Sequence, residues 1–369
     1  MPSRKKGLLD SSGKIMNETE LEKELKALRK QCEEQAELLL EHDALLAEHA
    51  SAIRRLKSSF FYSLTQYPRE LVQRLRHRII NSHWMQLGEL RQYAPRPLRH
   101  EKFPKTIPHE CDLPSIAIVT PSYMQGHFLE RTIQSVISEN YPKLFYVVQD
   151  GGSSDNSVEV IKRHEAKITA WSSAPDKGQS DAISRGFTAC PGDIMAWLNS
   201  DDMLMPGALQ FVGEYFAAHP NVDAVYGHRV TIDDEDNEVG RWILPPHNPE
   251  ILRWADYVPQ ETLFWRRKLF DKVGGIDTSF HFAIDWDLLV RFQEAGANIV
   301  RLPYFIGCFR VHTMQKTSSQ VSIGQQEMML IRKRIHGKPV SNGEVASHTR
   351  RFCRKGVKTS FMLSMGIRA

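Results

Sequence analysis

Hydrophobic and polar residues follow two different rhythms along this chain. Between residues 17 and 57 there is no Gly or Pro, and apolar positions recur at spacings of four and three: Leu21, Leu25, Leu28, Cys32, Leu39, Leu46, Ile53 and Leu56. That is the spacing of a coiled-coil seam. The segment opens with Asn17-Glu18-Thr19-Glu20, which has the form of a capping box. Gln35, His42 and His49 occupy one seam position in three successive heptads, while Leu38, Leu45 and Ala52 widen the stripe beside it. The pattern predicts a homo-oligomeric coiled coil. A single amphipathic helix packed on its own chain satisfies the same pattern.

From Leu113 the rhythm becomes one of short apolar runs separated by helical stretches. Residues 115–120 read as a strand stopped by Pro121, 127–139 as a helix, and 144–149 as a second strand ending at Asp150-Gly151-Gly152. A helix is expected from about Ser157, and further strands over 168–171 and 193–198. This alternation predicts an open α/β sheet, in which ligands bind beyond the carboxyl ends of the strands. Thr120-Pro121-Ser122-Tyr123, Asp150-Gly151-Gly152 and Asn199-Ser200-Asp201-Asp202 all fall on that edge, so one pocket can use all three.

Five regions follow: a flexible N-terminus (1–16), the coiled-coil helix (17–57), a basic amphipathic and linker region (58–110), the α/β domain (111–319) and a basic, mostly helical or disordered tail (320–369). In the third, Phe60, Phe61, Leu64, Leu71, Leu75 and Ile79 interleave with Arg69, Arg74, Arg76 and Arg78. Such a helix suits either a membrane surface or the domain itself. At 369 residues the chain is long enough for about two domains. The net charge of +4 hides an asymmetry, because residues 331–369 carry 10 Lys and Arg against one acid, Glu344. A basic tail suits anionic lipid, nucleic acid or an acidic partner, or is simply solvated. Peripheral contact at the inner face of a membrane is the expectation, with no nucleic-acid partner. Absence of a long apolar run or an apolar leader implies a cytoplasmic location. Five scattered cysteines with no CxxC pair imply reduced thiols.

The densest chemistry is at Asn199-Ser200-Asp201-Asp202, where an apolar strand delivers two adjacent carboxylates. They repel unless a positive charge sits between them, and hard cations such as Mg²⁺ or Mn²⁺ take oxygen ligands of this kind together with substrate phosphate. A solvated turn is the plainer alternative.

The motifs TPSYMQ, VVQDGGSSDNS, PDKGQSDAISRGF, GDIMAWLNSDDMLMPGAL and AIDWDLLVRF, in this order and spacing, resemble the inverting glycosyltransferase family 2. The resemblance covers about residues 115–318 and implies a GT-A fold, a Rossmann-like open mixed sheet with flanking helices. It also implies a nucleotide-sugar donor and Mn²⁺ or Mg²⁺. Pro121 and Tyr123, with Thr120, would lie against uracil. Asp150, beside Gly151, would accept the imide N–H. Asp176, Lys177 and Asp181 would face the nucleotide and donor sugar, with Arg185 near the phosphates and Lys316 to Ser319 as a loop over them. Asn199 and Ser200 would belong to the donor site, Asp201 and Asp202 to the metal, and His312 of CFRVH to the metal or diphosphate. Asp285 would be the general base, with Gln260, Glu261, Trp286 and Asp287 forming the second half of the site. Asp287 is also readable as a first-turn carboxylate that favours the helix dipole.

Three departures stand out: Asn199 for the first Asp of Asp-X-Asp, Ile284 for the Glu before the base, and Ser184 for a common Asn. The implied activity is transfer of a sugar, foremost from a UDP-sugar, to a glycan or lipid-linked hydroxyl in polysaccharide or glycolipid assembly. Two other classes remain. A nucleotidyltransferase would need a Gly-rich basic loop after its first strand, which TPSYMQGHF lacks. A non-catalytic coiled-coil scaffold would not need Asp150, Asp201 and Asp285 in register.

Overall fold

The computed structural model describes residues 90–104, 113–313, 315 and 321–352. The predicted coiled coil, most of the basic segment before residue 90, the loop Lys316 to Ser319 and the last part of the tail lie outside the described residues. No helix among those described is long and apolar enough to cross a membrane.

Among the described residues nine strands form one mixed sheet. Its first half is parallel, with β1 (Ile116–Ser122) between β2 (Leu144–Asp150) and β4 (Ile194–Trp197), and β3 (Ala170–Ser173) outside β2. Every residue of β1 is buried. Side chains alternate between the two faces, so Ala117 and Val119 enter one core while Ile116 and Ile118 enter the other. The second half turns antiparallel through β8 (Phe264–Arg266) to β6 (Ala224–Ile232), which runs parallel with β9 (Ile299–Arg310). β5 (Met203–Leu204) pairs with β9, and β7 (Glu238–Trp242) with β6.

Pro121 does not stop β1, which continues to Ser122 in register with Asp150. The reason is local. β4 pairs only with Ile116 to Val119, and Leu198 N–H donates to Val119 O, so Pro121 turns its missing N–H to the side where β4 has ended.

Helix α1 (Gly126–Ile137) buries Phe128, Leu129, Ile133 and Val136 on one face, and α2 (Ser157–Arg163) follows β2. Helix α3 (Gln179–Ala189) packs Ile183 and Phe187 on the opposite face. It approaches so closely that a Cβ at Gly186 would stand 2.4 Å from Val119 Cγ1. α4 (Ala208–Ala218), α5 (Pro249–Leu252), α6 (Arg267–Lys272) and α7 (Ile284–Glu294) complete the domain.

The chain on both sides of these elements joins the fold. Residues 90–104 lie along β7, bridged at Arg96 and Glu238. The Glu238 carboxylate, fully buried, accepts from Tyr93 Oη (2.5 Å), Arg96 (2.5 Å) and Arg241 (2.8 and 2.7 Å). Burial pushes its carboxyl up, but the hydrogen bonds from Arg241, Tyr93 and Arg96 outweigh it and hold it down at about 2. Phe103 stacks on Phe211 at 4.8 Å. Within the predicted tail, α8 (Val321–His336) buries Ile331 completely. A last helical stretch, 342–352, seats Phe352 against Tyr257. Trp254 is held between His336 and His348, with ring centroids at 4.0 and 3.7 Å.

Candidate active site

The carboxyl ends of β1, β2 and β4 open into a cleft of about 1040 Å³. Because Ser122 and Asp150 are in register, Tyr123 and Gly151 emerge side by side, with Gly151 N–H donating to Ser122 O at 2.8 Å. Tyr123 is 65% exposed, an unusual placement for a large aromatic ring and one that leaves its face free to stack. Pro121, Gly151 and Asp176 line the cleft with it. A Cβ at Gly151 would lie 2.9 Å from Asp176 Oδ2 and 3.2 Å from Tyr123 Cδ2, so only glycine leaves this corner open.

Asp150 itself is buried at 2% exposure. Its Oδ2 accepts from the N–H groups of Gly152 and Ser153 and from Ser173 Oγ, and Oδ1 accepts from Ser153 Oγ at 2.6 Å. It therefore braces the turn after β2 and, contrary to expectation, does not itself line the cleft. Thr120 faces inward, 3.0 Å from Tyr146 Oη, and does not line the cleft. Nor do Lys177, Asp181 and Arg185. Asp181 accepts Lys177 N–H at 3.0 Å and pairs with Arg185 at 2.7 Å, forming a small network of its own.

After β4, Asn199, Ser200, Asp201 and Asp202 all reach the cleft. Asn199 Oδ1, expected to be a free neutral oxygen, accepts from Gln179 Nε2 at 2.7 Å, and its Nδ2 donates to Gln260 Oε1 at 3.1 Å. Asp202 is 1% exposed and accepts the Arg310 N–H at 3.0 Å. Burial, then the charges of Asp201 and Glu261, push its carboxyl well above the ordinary value. Asp201 Oδ2 lies 3.0 Å from Nε2 of the buried His312, whose Nδ1 has no hydrogen-bond partner among the described residues. His312 stands behind Asp201 and orients it, not lining the cleft itself.

These carboxylates fit a hard divalent cation. Among the described residues no group of three or more His, Cys, Asp or Glu is arranged to hold an ion alone. Asp201, its side chain 21% exposed, with the more buried Asp202 behind it on the same cleft, is the kind of carboxylate pair that Mg²⁺ or Mn²⁺ takes together with phosphate oxygens.

The far wall carries Asp285 in the first turn of α7, with Gln260 and Glu261 from a 3₁₀ turn. Gln260 Nε2 donates to Trp197 O at 2.8 Å, tying this wall to β4. Glu261 is held by both nitrogens of Arg229 at 2.7 Å. Trp286 and Asp287 do not reach the cleft, contrary to expectation. Trp286 is fully buried and donates its indole N–H to Leu252 O, while Asp287, 1% exposed, pairs with Arg291 at 2.8 Å and Arg334 at 2.6 Å. Two residues along a helix lie about 200° apart, so Asp285 and Asp287 cannot share a face.

Sequence reasoning missed Asp256, Arg229, Trp242, His281 and Phe309, all of which line the cleft. Asp256 is exposed to the cleft, where the charge of Asp285 acts on its carboxyl. The signal available was an acid inside the otherwise apolar run WADYVP.

A family model described as glycosyl transferase family 2 matches residues 117–284. That segment carries the glycosyl transferase family 2 pattern. The O-antigen biosynthesis protein RfbC of Myxococcus xanthus is 30% identical over 191 residues, which are 50% of this chain and 15% of that protein. An uncharacterized glycosyltransferase of Mycobacterium tuberculosis, MT1564, is 28% identical over 201 residues, 53% of this chain and 73% of its own. The fold resembles S. aureus TarS 1–349, crystallised with UDP-GlcNAc, at a TM-score of 0.51 and 14% identity, covering 66% of this chain and 73% of that one. This family 2 segment ends at Ile284, one residue before Asp285, so the helix bearing the far carboxylate begins where the matched segment stops.

Proposed function

We propose that this chain is an inverting glycosyltransferase, moving a sugar from a nucleoside diphosphate, foremost UDP, to a hydroxyl of a glycan or lipid-linked acceptor in polysaccharide assembly. One observation carries the reading: a single cleft has Tyr123, Gly151, Asp176, Asp201 and Asp202 at the edge of the parallel strands and Asp256 and Asp285 on its far wall. Tyr123 and Pro121 stack on the base. Asp150, buried behind the cleft, holds the turn that presents Gly151 to the base. Asp201 and Asp202 would hold Mn²⁺ or Mg²⁺, which supplies positive charge to the leaving diphosphate.

Asp285 takes the proton of the acceptor hydroxyl as its oxygen bonds to the anomeric carbon from the face opposite the diphosphate, whose C–O bond breaks. One displacement inverts the centre. The outer side of α8 exposes Met329 (53%) and Leu330 (60%) next to the exposed cation Lys333, a combination that favours peripheral contact with anionic lipid.

The test is nucleotide release by the purified full-length chain with Mn²⁺ across UDP-, GDP-, CDP- and dTDP-sugars. Release from UDP-sugars, stimulated by a glycan acceptor, is expected. Release from none of them overturns the reading.

A further inference from the structure

We infer that Glu327, on α8, is a positioning residue for Asp285, holding the three backbone amides that lead into the first turn of α7. Helix α7 has no side-chain cap of its own, since its N-cap is Ala283. In place of a cap, Glu327 Oε1 accepts the N–H of His281 at 2.7 Å, and Oε2 accepts those of Phe282 and Ala283, each at 2.8 Å. Three successive amides converging on one anion form a nest of the kind that binds anionic ligands, filled here by the protein's own carboxylate. The negative charge also sits at the positive end of the α7 dipole.

Glu327 is only 7% exposed, and among the described residues it makes no ion pair. A buried carboxylate costs stability unless hydrogen bonds compensate it, and an apolar side chain would fill the space at less cost. Its benefit is geometric. The same helix grips the rest of this wall: Arg332 Nε donates to Trp254 O at 2.8 Å, two residues before Asp256, and Arg334 pairs with Asp287. A Cβ at Gly324 would meet Phe282 Cδ1 at 2.7 Å, so the α8 backbone lies directly on the loop that Glu327 binds. Gly324, Glu327, Arg332 and Arg334 lie beyond residue 284, outside the matched family segment, while the loop they hold lies inside it.

The inference rests on the proposed function, in which Asp285 is the base. A misplacement of about 1 Å costs a catalytic group about 100-fold. Glu327→Ala should therefore lower kcat by roughly 30- to 100-fold while the Kd for UDP stays within about twofold. Glu327→Gln keeps one accepting oxygen and should recover most of the loss. Amide hydrogen exchange at His281, Phe282 and Ala283 should be at least about tenfold faster in Glu327→Ala. If the Ala variant does not fold, Glu327→Gln alone must show an intermediate kcat with native UDP affinity.

Faster exchange with wild-type kcat would make Glu327 purely structural and overturn the inference. Unchanged exchange, or UDP affinity falling in step with kcat, would overturn it equally. A wild-type chain that releases nucleotide from no sugar donor refutes the functional reading first, and the inference with it.

Discussion

Replacing Glu238 by Ala should loosen the strap of residues 90–104 on β7, where backbone hydrogen bonds remain, while leaving the cleft intact. Arg96 is half exposed, so its pair with Glu238 contributes at most about 1 kcal/mol. Arg241 is different: its side chain is 16% exposed and would lose its partner in a buried setting, a loss of about 3 kcal/mol. Linkage gives a second route to the magnitude. A carboxyl held at about 2 instead of 4.5 is worth about 3 kcal/mol at neutral pH, at about 1.4 kcal/mol per pH unit. Because the folded value is the lower one, this stability is complete above about pH 4.5 and is lost as pH falls towards 2. Urea unfolding of wild type and Glu238→Ala should differ by about 3 kcal/mol at pH 7 and by about half that near pH 3. A difference that does not change with pH, or one below about 1 kcal/mol at pH 7, would refute the reasoning.

Asp285→Asn should lower turnover by about 10²- to 10⁴-fold with donor binding by calorimetry unchanged; a collapse of donor affinity would move Asp285 to the donor site. Asp201→Asn should abolish metal-dependent transfer without unfolding the domain, since the side chain is 21% exposed. Undiminished activity in the variant, or of wild type in EDTA, would exclude the metal role. Tyr123→Ala should weaken UDP binding by about 1–3 kcal/mol if the exposed ring stacks on the base, and an unchanged Kd would show that it does not. Removal of residues 1–57 should lower the number of chains per particle measured by light scattering before it lowers activity; if the full-length and truncated proteins both run as monomers, the heptad pattern belongs to a helix packed within its own chain.

The parallel half of the sheet was legible because strands covered on both faces are written as unbroken apolar runs, and β1, β2 and β4 fall within two residues of expectation at each end. The three loops at their carboxyl ends were legible for the same reason. What the sequence hid depends on partners remote in the chain. Nothing near Asp287 announces Arg334, 47 residues on, which takes it out of the site. Asp256 needed Asp285 to give it meaning. The basic tail looked solvated because charge dominates it, yet Gly324, Glu327 and Ile331 recur at spacings of three and four and form the buried side of α8. A glycine and a glutamate do not look like a core stripe until the nest they fill is seen.

The indole of Trp254, stacked on one imidazole and tilted against another, gives the domain an optical gauge. Its ring plane lies 7° from that of His348, on the last helical stretch, and its carbonyl is tied to α8. An indole in such a setting emits differently from one in water, so lifting residues 342–352 away changes its fluorescence without any added label. Trp254 stands two positions from Asp256, so the same emission reports on the segment that leads into the far wall of the cleft.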